Sequence, residues 1–366
     1  MVIQPMDSPQ QDRTPVTVLT GFLGSGKTTL LNAWLRLPAL SDAAVIVNEF
    51  GEIGIDNTLI ASSNDNTIEL STGCLCCTVR GDLVETLREL TEKRARGEVR
   101  PFSRVLIETT GLADPVPVLQ ALITFPVARI YRLSRVITVV DGVQGLGTID
   151  RHPEALKQVA VADEIIISKT DLETPHLDAL SARLSEINPG ARQQAASSDA
   201  ARSARLSDGV DIYDPATKPE QVVDWLNAER YKNVHQHQDG HHHQDGHHHQ
   251  GDQHHGARNR HSDEIASFCL DYDEPLHWEH VAAWLDALVL AHGDDLLRVK
   301  GLLDIRGQAQ PIVVQAVQRL FHPPAKLSAW PNGEVRSRIV FITRGLTREF
   351  VSEVFDTIRT RAPIAA

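Results

Sequence analysis

An α/β domain on a mainly parallel sheet, followed by a small α+β domain, is the architecture this sequence predicts. Three observations predict it. Short β-branched runs alternate with amphipathic stretches from Thr14 to about Glu229. A glycine-rich run, Gly21 to Thr28, follows the first of those strands directly and opens a helix. Between His235 and His261 the composition breaks, with 11 of the 17 histidines set among Gln, Asp and Gly and almost nothing apolar.

The elements follow in order. Val16 to Thr20 reads as a buried strand and Lys27 to Leu37 as the helix after it. Further strands are expected at Ala44–Val47, Arg104–Ile107, Val136–Val140 and Glu164–Ile167, with helices at Asp82–Lys93, Val116–Thr124 and Pro175–Ile187. Such alternation implies a sheet covered on both faces. The hexapeptide Gln-Asp-Gly-His-His-His occurs twice in tandem, at Gln238 and Gln244, in a segment that cannot bury a core and reads as a flexible linker. Beyond it, strands at Ile265–Leu270, Leu296–Ile305, Ile312–Leu320 and Ile339–Thr343 combine with helices at Leu276–Ala291 and Thr347–Ile358. That order, read as βαββαβ with a final helix, predicts a ferredoxin-like α+β domain. The expected boundaries are a disordered lead over 1–13, a first domain over 14–230, a linker over 231–262 and a second domain over 263–366.

Composition excludes several classes. A formal charge of -12 over 366 residues argues against nucleic acid as a main partner, since phosphate backbones need a basic face. No apolar run is long enough to cross a bilayer, and Met1 to Arg13 shows no secretory signal, so a cytoplasmic protein is expected. Three of the four cysteines crowd into Cys74, Cys76 and Cys77, which is not a disulfide framework.

Gly21 to Thr28 satisfies G-x-x-x-x-G-K-T in the strand-to-helix context that a phosphate loop requires. Gly21, Gly24 and Gly26 let the backbone turn so that successive N–H groups, those of Ser25 and Thr29 among them, face phosphates. Lys27 is expected to reach the β- and γ-phosphates and the Thr28 hydroxyl to ligate Mg²⁺. Glu108, at the end of an apolar strand in Glu108-Thr109-Thr110-Gly111, is the expected acidic partner of that ion, and Gly111 allows a backbone N–H near the γ-phosphate. Ser168-Lys169-Thr170-Asp171 resembles the guanine-reading N-K-x-D signature, with Lys169 packed on the base and Asp171 accepting from its ring N–H and exocyclic amine. Ser168 replaces the usual Asn, and a hydroxyl cannot supply an amide's acceptor and donors together, which points to weaker base affinity.

Cys74-Leu75-Cys76-Cys77 supplies soft thiolate ligands for Zn²⁺, Co²⁺ or Cu⁺. Two or three protein thiolates leave a tetrahedral ion with an open position, which suits a transferable metal.

These residues together resemble the CobW family of GTPases, relatives of the maturation GTPases for urease and hydrogenase. The resemblance rests on GFLGSGKTTLLN from Gly21, VNEFGEIGID from Val47, GCLCCTVRGDL from Gly73, ETTGLADP from Glu108 and the S-K-T-D at Ser168. The histidine-rich linker and the second domain extend it over nearly the whole chain. It implies a P-loop GTPase domain followed by the family's C-terminal domain, GTP and Mg²⁺ at the phosphate loop, and slow hydrolysis to GDP. It also implies a transition metal, Zn²⁺ first and Co²⁺ second, carried on the cysteines to a metalloprotein client. By the same resemblance Glu49 lies in a mobile segment that senses the γ-phosphate near Mg²⁺. Gly111-Leu112-Ala113-Asp114-Pro115 looks like the branches associated with zinc homeostasis.

Imidazoles at His241, His242, His243, His247, His248 and His249 are suited to auxiliary metal capture near pH 7. The competing reading is a passive metal buffer built on that segment, with an idle nucleotide site. The client's identity, the choice among Zn, Co and Ni, and a metal- or nucleotide-dependent homodimer are left open by the sequence.

Overall fold

The computed structural model describes residues 13–49, 67–71, 78–197, 222, 226–233 and 265–361; the amino-terminal lead, the cysteine run and the histidine-rich segment lie outside the described residues. The first domain runs β1 (Thr14–Thr20), α1 (Lys27–Leu35), β2 (Ala43–Glu49), β3 (Thr67–Ser71), α2 (Thr78–Arg96), β4 (Arg104–Glu108) and α3 (Val116–Ile123). It continues through β5 (Tyr131–Asp141), α4 (Gly145–Arg151), α5 (Pro153–Ala160), β6 (Glu164–Ser168), α6 (Leu177–Ile187), β7 (Arg192–Ala195) and α7 (Ala228–Asn233). Among the described residues seven strands form one sheet in the order β3-β2-β4-β1-β5-β6-β7, and every neighbouring pair is parallel.

Side-chain alternation explains the two covered faces. Val16, Val18, Val105 and Ile107 point to one core with Leu83, Leu87 and Leu90 of α2, which recur at helical spacing. Leu19, Leu106, Ile137 and Ile166 point to the other, against Leu31 and Trp34 of α1. Sequence order reverses around β1, so a crevice opens at the carboxyl ends of β4, β1, β5 and β6, where such sheets bind ligands.

The second domain holds β8 (Ile265–Tyr272), α8 (Trp278–His292), β9 (Leu296–Leu303), β10 (Ile312–Val317), the short β11 (Leu320–Phe321) and β12 (Ala325–Lys326), β13 (Ser337–Arg344) and α9 (Arg348–Arg361). Its strands pair antiparallel in the order β11-β10-β9-β13-β8, with β12 beside β10. The α+β class and the closing helix are as expected, but the short strands β11 and β12 stand where the βαββαβ order puts a second helix between strands.

One face of this sheet packs Phe268, Val299 and Phe341 against Trp284 and Phe355 of α8 and α9. From the other face Cys269, Leu297, Leu302 and Ile342 join the core of the first domain beside Val159, Leu184 and Ile187. A buried ion trio crosses the same boundary. Asp163 receives Arg298 and Lys300, each at 2.9 Å, together with the Val136 N–H. Burial alone would raise the Asp163 carboxyl, but the two cations and the backbone donor hold it well below the usual carboxylate range.

In the first domain the sequence pattern misses β3, α4, α5, β7 and α7. Both β3 and β7 are edge strands, and TIELS and RQQA carry too few apolar residues to stand out. Among the described residues no helix is long and apolar enough to cross a membrane.

Candidate nucleotide site

The phosphate loop links β1 to α1. Gly21 adopts φ +143°, and a Cβ there would fall 2.2 Å from the Val139 carbonyl oxygen, so only glycine fits. Lys27 begins α1, whose amino end has neither a side-chain cap nor an acidic residue in its first turn. Its amino end therefore offers N–H groups and the positive end of the helix dipole to a phosphate. Lys27 is buried, and its Nζ donates to the Phe22 carbonyl at 3.2 Å, folded back across the loop.

The Thr28 hydroxyl donates to Glu108 Oε1 at 2.7 Å, joining the first turn of α1 to the end of β4. The next residues are tied to β1: Thr109 N–H donates to the Leu19 carbonyl at 2.9 Å and Thr109 Oγ1 to Thr20 Oγ1 at 2.8 Å. Gly111 then lies directly on the phosphate loop, where a Cβ would sit 2.5 Å from the Leu23 nitrogen.

The Ser168-Lys169-Thr170-Asp171 segment closes and follows β6. Ser168 is buried, and its hydroxyl donates to the Ser25 carbonyl at 2.6 Å. Lys169 adopts φ +55°, unusual for a side-chain-bearing residue, and its ammonium lies 2.5 Å from Asp141 Oδ2. Asp141 also accepts the N–H groups of Val143 at 2.8 Å and Gln144 at 3.1 Å. Burial pushes its carboxyl up, but Lys169 and those N–H donors outweigh this and hold it below the ordinary value. Asp171 is exposed at the rim of the crevice.

Sequence reasoning thus placed Gly21, Gly24, Ser25, Gly26, Lys27, Thr28, Thr29, Glu108, Gly111, Ser168, Lys169 and Asp171, and the structure gathers them at one end of the sheet. It missed Asp141, which carries Lys169, and Gln158 on α5, which donates to the Gly111 and Ala113 carbonyls. Asp141 stood at the end of an expected strand and carried a faint signal; Gln158 had none. A cavity of about 180 Å³ lies between the loop and α4–α5, lined by Phe22, Leu23, Ser25, His152 and Gln158 among others.

Glu49 is the last residue of β2 and pairs in register with Ser71, the last of β3. Cys74, Cys76 and Cys77 and the six linker histidines lie outside the described residues. Among the described residues no cluster of three His, Cys, Asp or Glu side chains is arranged for a metal ion.

Thr28 and Glu108 fit a Mg²⁺ site: a hydroxyl and a carboxylate are hard oxygen donors, and they already meet beside the phosphate loop. The ion would there offset negative charge on the β- and γ-phosphates.

Residues 15–194 match the model of the CobW/HypB/UreG nucleotide-binding domain, and residues 265–359 match that of the cobalamin synthesis protein CobW C-terminal domain. The chain is 30% identical over 347 residues to the zinc chaperone YjiA of Escherichia coli K12, covering 94% of this chain and 98% of that protein. It is 34% identical over 375 residues to the zinc chaperone CobW of Pseudomonas aeruginosa, covering 94% and 91%. The crystal structure of Zn(II)-bound YjiA GTPase from E. coli superposes with a TM-score of 0.65 at 26% identity, covering 95% of this chain and all of that one. With its phosphate loop, its acidic strand end and both domain matches in place, this chain belongs to the CobW/HypB/UreG family of P-loop GTPases.

Proposed function

We propose that this protein is a cytoplasmic, GTP-dependent metallochaperone. It takes Zn²⁺ first and Co²⁺ second at Cys74, Cys76 and Cys77 and passes the ion to a metalloprotein client as GTP is hydrolysed. The carrying observation is a row of neighbouring strand ends. Thr28 meets Glu108 at the end of β4; Glu108 is in register with Val47 of β2; and Glu49, two residues on, is in register with Ser71. The residues between Ser71 and the start of α2 at Thr78 contain all three clustered cysteines. A change at the γ-phosphate therefore has a short lateral route to Ser71, three residues before Cys74 in the chain. The names of the two full-length relatives and the Zn(II)-bound structure support zinc over cobalt.

In this reading Lys27 and the α1 N–H groups hold the phosphates, Lys169 and Asp171 read guanine, and Gly111 offers its N–H to the γ-phosphate. Thr28 and Glu108 hold Mg²⁺, while Glu49 reports the nucleotide state to the cysteines. His241 to His243 and His247 to His249 capture metal and raise its local concentration.

The test is Zn²⁺ affinity, by competition with a chromophoric chelator, for the chain with residues 235–261 removed. A tenfold or larger difference between a non-hydrolysable GTP analogue with Mg²⁺ and GDP, about 1.4 kcal/mol of coupling, is expected. Equal affinities in both states would reject nucleotide-gated metal handling.

A further inference from the structure

Two side chains of α5 grip the loop after β4. Gln158 is 1% exposed, and its Nε2 donates to the carbonyl oxygens of Gly111 at 3.2 Å and Ala113 at 3.1 Å. Beside it, Lys157 Nζ lies 2.8 Å from Asp114 Oδ2. Two acceptors at one end of an amide decide which end carries nitrogen, because the flipped group would set oxygen against two oxygens. Gln158 Oε1 makes no hydrogen bond among the described residues, so the donor end alone holds the side chain. The helix is pinned at the same residue from the other side, where Thr138 Oγ1 donates to the Gln158 carbonyl at 2.6 Å.

This is a costly way to fill space. A buried acceptor without a partner costs about 1–3 kcal/mol, whereas Met or Leu would pack the same volume without that loss. What the amide adds is placement. Gly111 lies so near Leu23 that any Cβ would clash at 2.5 Å, so a small shift of this loop changes its approach to the phosphate loop. Leu23 limits that approach from one side and Gln158 holds the loop from the other.

We propose that Gln158, with Lys157 beside it, is a positioning residue for γ-phosphate recognition. By fixing the Gly111 and Ala113 carbonyls it aims the Gly111 N–H, and with it the protein's discrimination of GTP from GDP. The proposal rests on the reading of Gly111 as the γ-phosphate contact. It also gives α5 a second role, since Ala155 and Val159 of this helix share a core with Leu297 and Leu302 of β9. The element that grips the loop thus bears on the C-terminal sheet.

The experiment is isothermal titration of the full chain with GDP and with GppNHp, both with Mg²⁺, for wild type, Gln158→Met and Lys157→Met. Gln158→Met is expected to weaken GppNHp at least tenfold while GDP stays within twofold. Lys157→Met, at a half-buried position that tolerates the change, is expected to weaken GppNHp about threefold with GDP again unmoved. It decides the matter if Gln158→Met does not fold: a GppNHp-confined loss supports the proposal and none overturns it. A wild type that binds both nucleotides equally removes the Gly111 reading and the proposal with it. A wild type that discriminates, with variants that discriminate equally well, overturns the role of Gln158 and Lys157 and leaves Gly111 standing. Parallel weakening of both nucleotides with a lowered Tm shows a packing role only and also overturns it.

Discussion

Ser168 donates its hydroxyl proton to the carbonyl oxygen of Ser25 at 2.6 Å, so the Ser168–Asp171 segment is fastened to the phosphate loop at its first residue. Where the N-K-x-D signature has Asn, the Ser168 hydroxyl itself supplies a structural link, because the Ser25 carbonyl lies close by. A Cβ on Gly26 would come within 3.6 Å of the Ser168 Cβ, which shows how closely the two segments approach. Ser168→Ala leaves the Ser25 carbonyl without this donor, at a cost of about 1 kcal/mol in loop placement. GTP and GDP are both expected to bind about fivefold more weakly, with their ratio unchanged. Titration with fluorescent nucleotides checks this, and a change confined to GTP would contradict it.

The proposed guanine reading puts base choice on Asp171. A carboxylate accepts from the guanine ring N–H and amine together, and these charge-assisted bonds contribute about 3 kcal/mol in sum. Asp171→Asn is expected to weaken GTP about 100-fold and to bind xanthosine triphosphate more tightly than GTP, because the amide now donates to the second base carbonyl. Competition among GTP, ATP and xanthosine triphosphate for one labelled nucleotide reads the outcome. Retained guanine preference would move base reading away from Asp171.

The Thr28–Glu108 pair predicts a metal-specific defect. Glu108→Gln keeps an oxygen near the Thr28 hydroxyl but removes the charge that favours a divalent cation. The Mg²⁺ concentration for half-maximal turnover is expected to rise about 10- to 100-fold, with metal-free GDP binding unchanged. Thr28→Ala should act in the same direction. A Mg²⁺ dependence identical to wild type would place the ion elsewhere.

How much of this site was legible in the sequence follows from the range of the interactions involved. Gly21, Lys27 and Thr28 act through spacing within one loop, and Glu108 and Gly111 sit at a strand end, so pattern alone located them. Asp141 and Gln158 act across 28 and 47 residues of chain, on Lys169 and Gly111, and nothing local distinguishes them from a turn acid and a helix-face amide. The same limit hid β3 and β7, whose polar sequences become strands because β2 and β6 offer them open edges. The ion trio at the domain boundary was equally hidden, since Asp163 and Arg298 meet only through the packing of two domains.

That trio carries a stability prediction. Asp163→Asn leaves Arg298 and Lys300 buried side by side without their counter-charge, and breaking such an arrangement costs about 3–5 kcal/mol. Urea unfolding followed by intrinsic fluorescence should show the loss. A change under about 1 kcal/mol would mean that water reaches the cations and that the boundary is looser than its packing implies.

His322 makes part of that stability depend on pH. It is buried beside Gln315, with its Nδ1 3.2 Å from the amide nitrogen. Burial, then the nearby Arg298 charge, push its pKa down to about 3, although Asp163 pulls the other way. In the unfolded chain the ring titrates near the usual value of about 6.5. Between those values the unfolded state holds a proton that the folded state excludes, so stability rises with pH through this window and is lost as pH falls from about 6.5 toward 3. The slope is at most about 1.4 kcal/mol per pH unit for one such group. His322→Gln removes the titrating ring and is expected to flatten the stability profile between pH 6 and 5 by about that amount, whatever its offset at pH 7. Urea midpoints at pH 5, 6 and 7 for the two proteins give the difference directly, and parallel profiles would show that His322 takes up its proton in the folded state as readily as in the unfolded one.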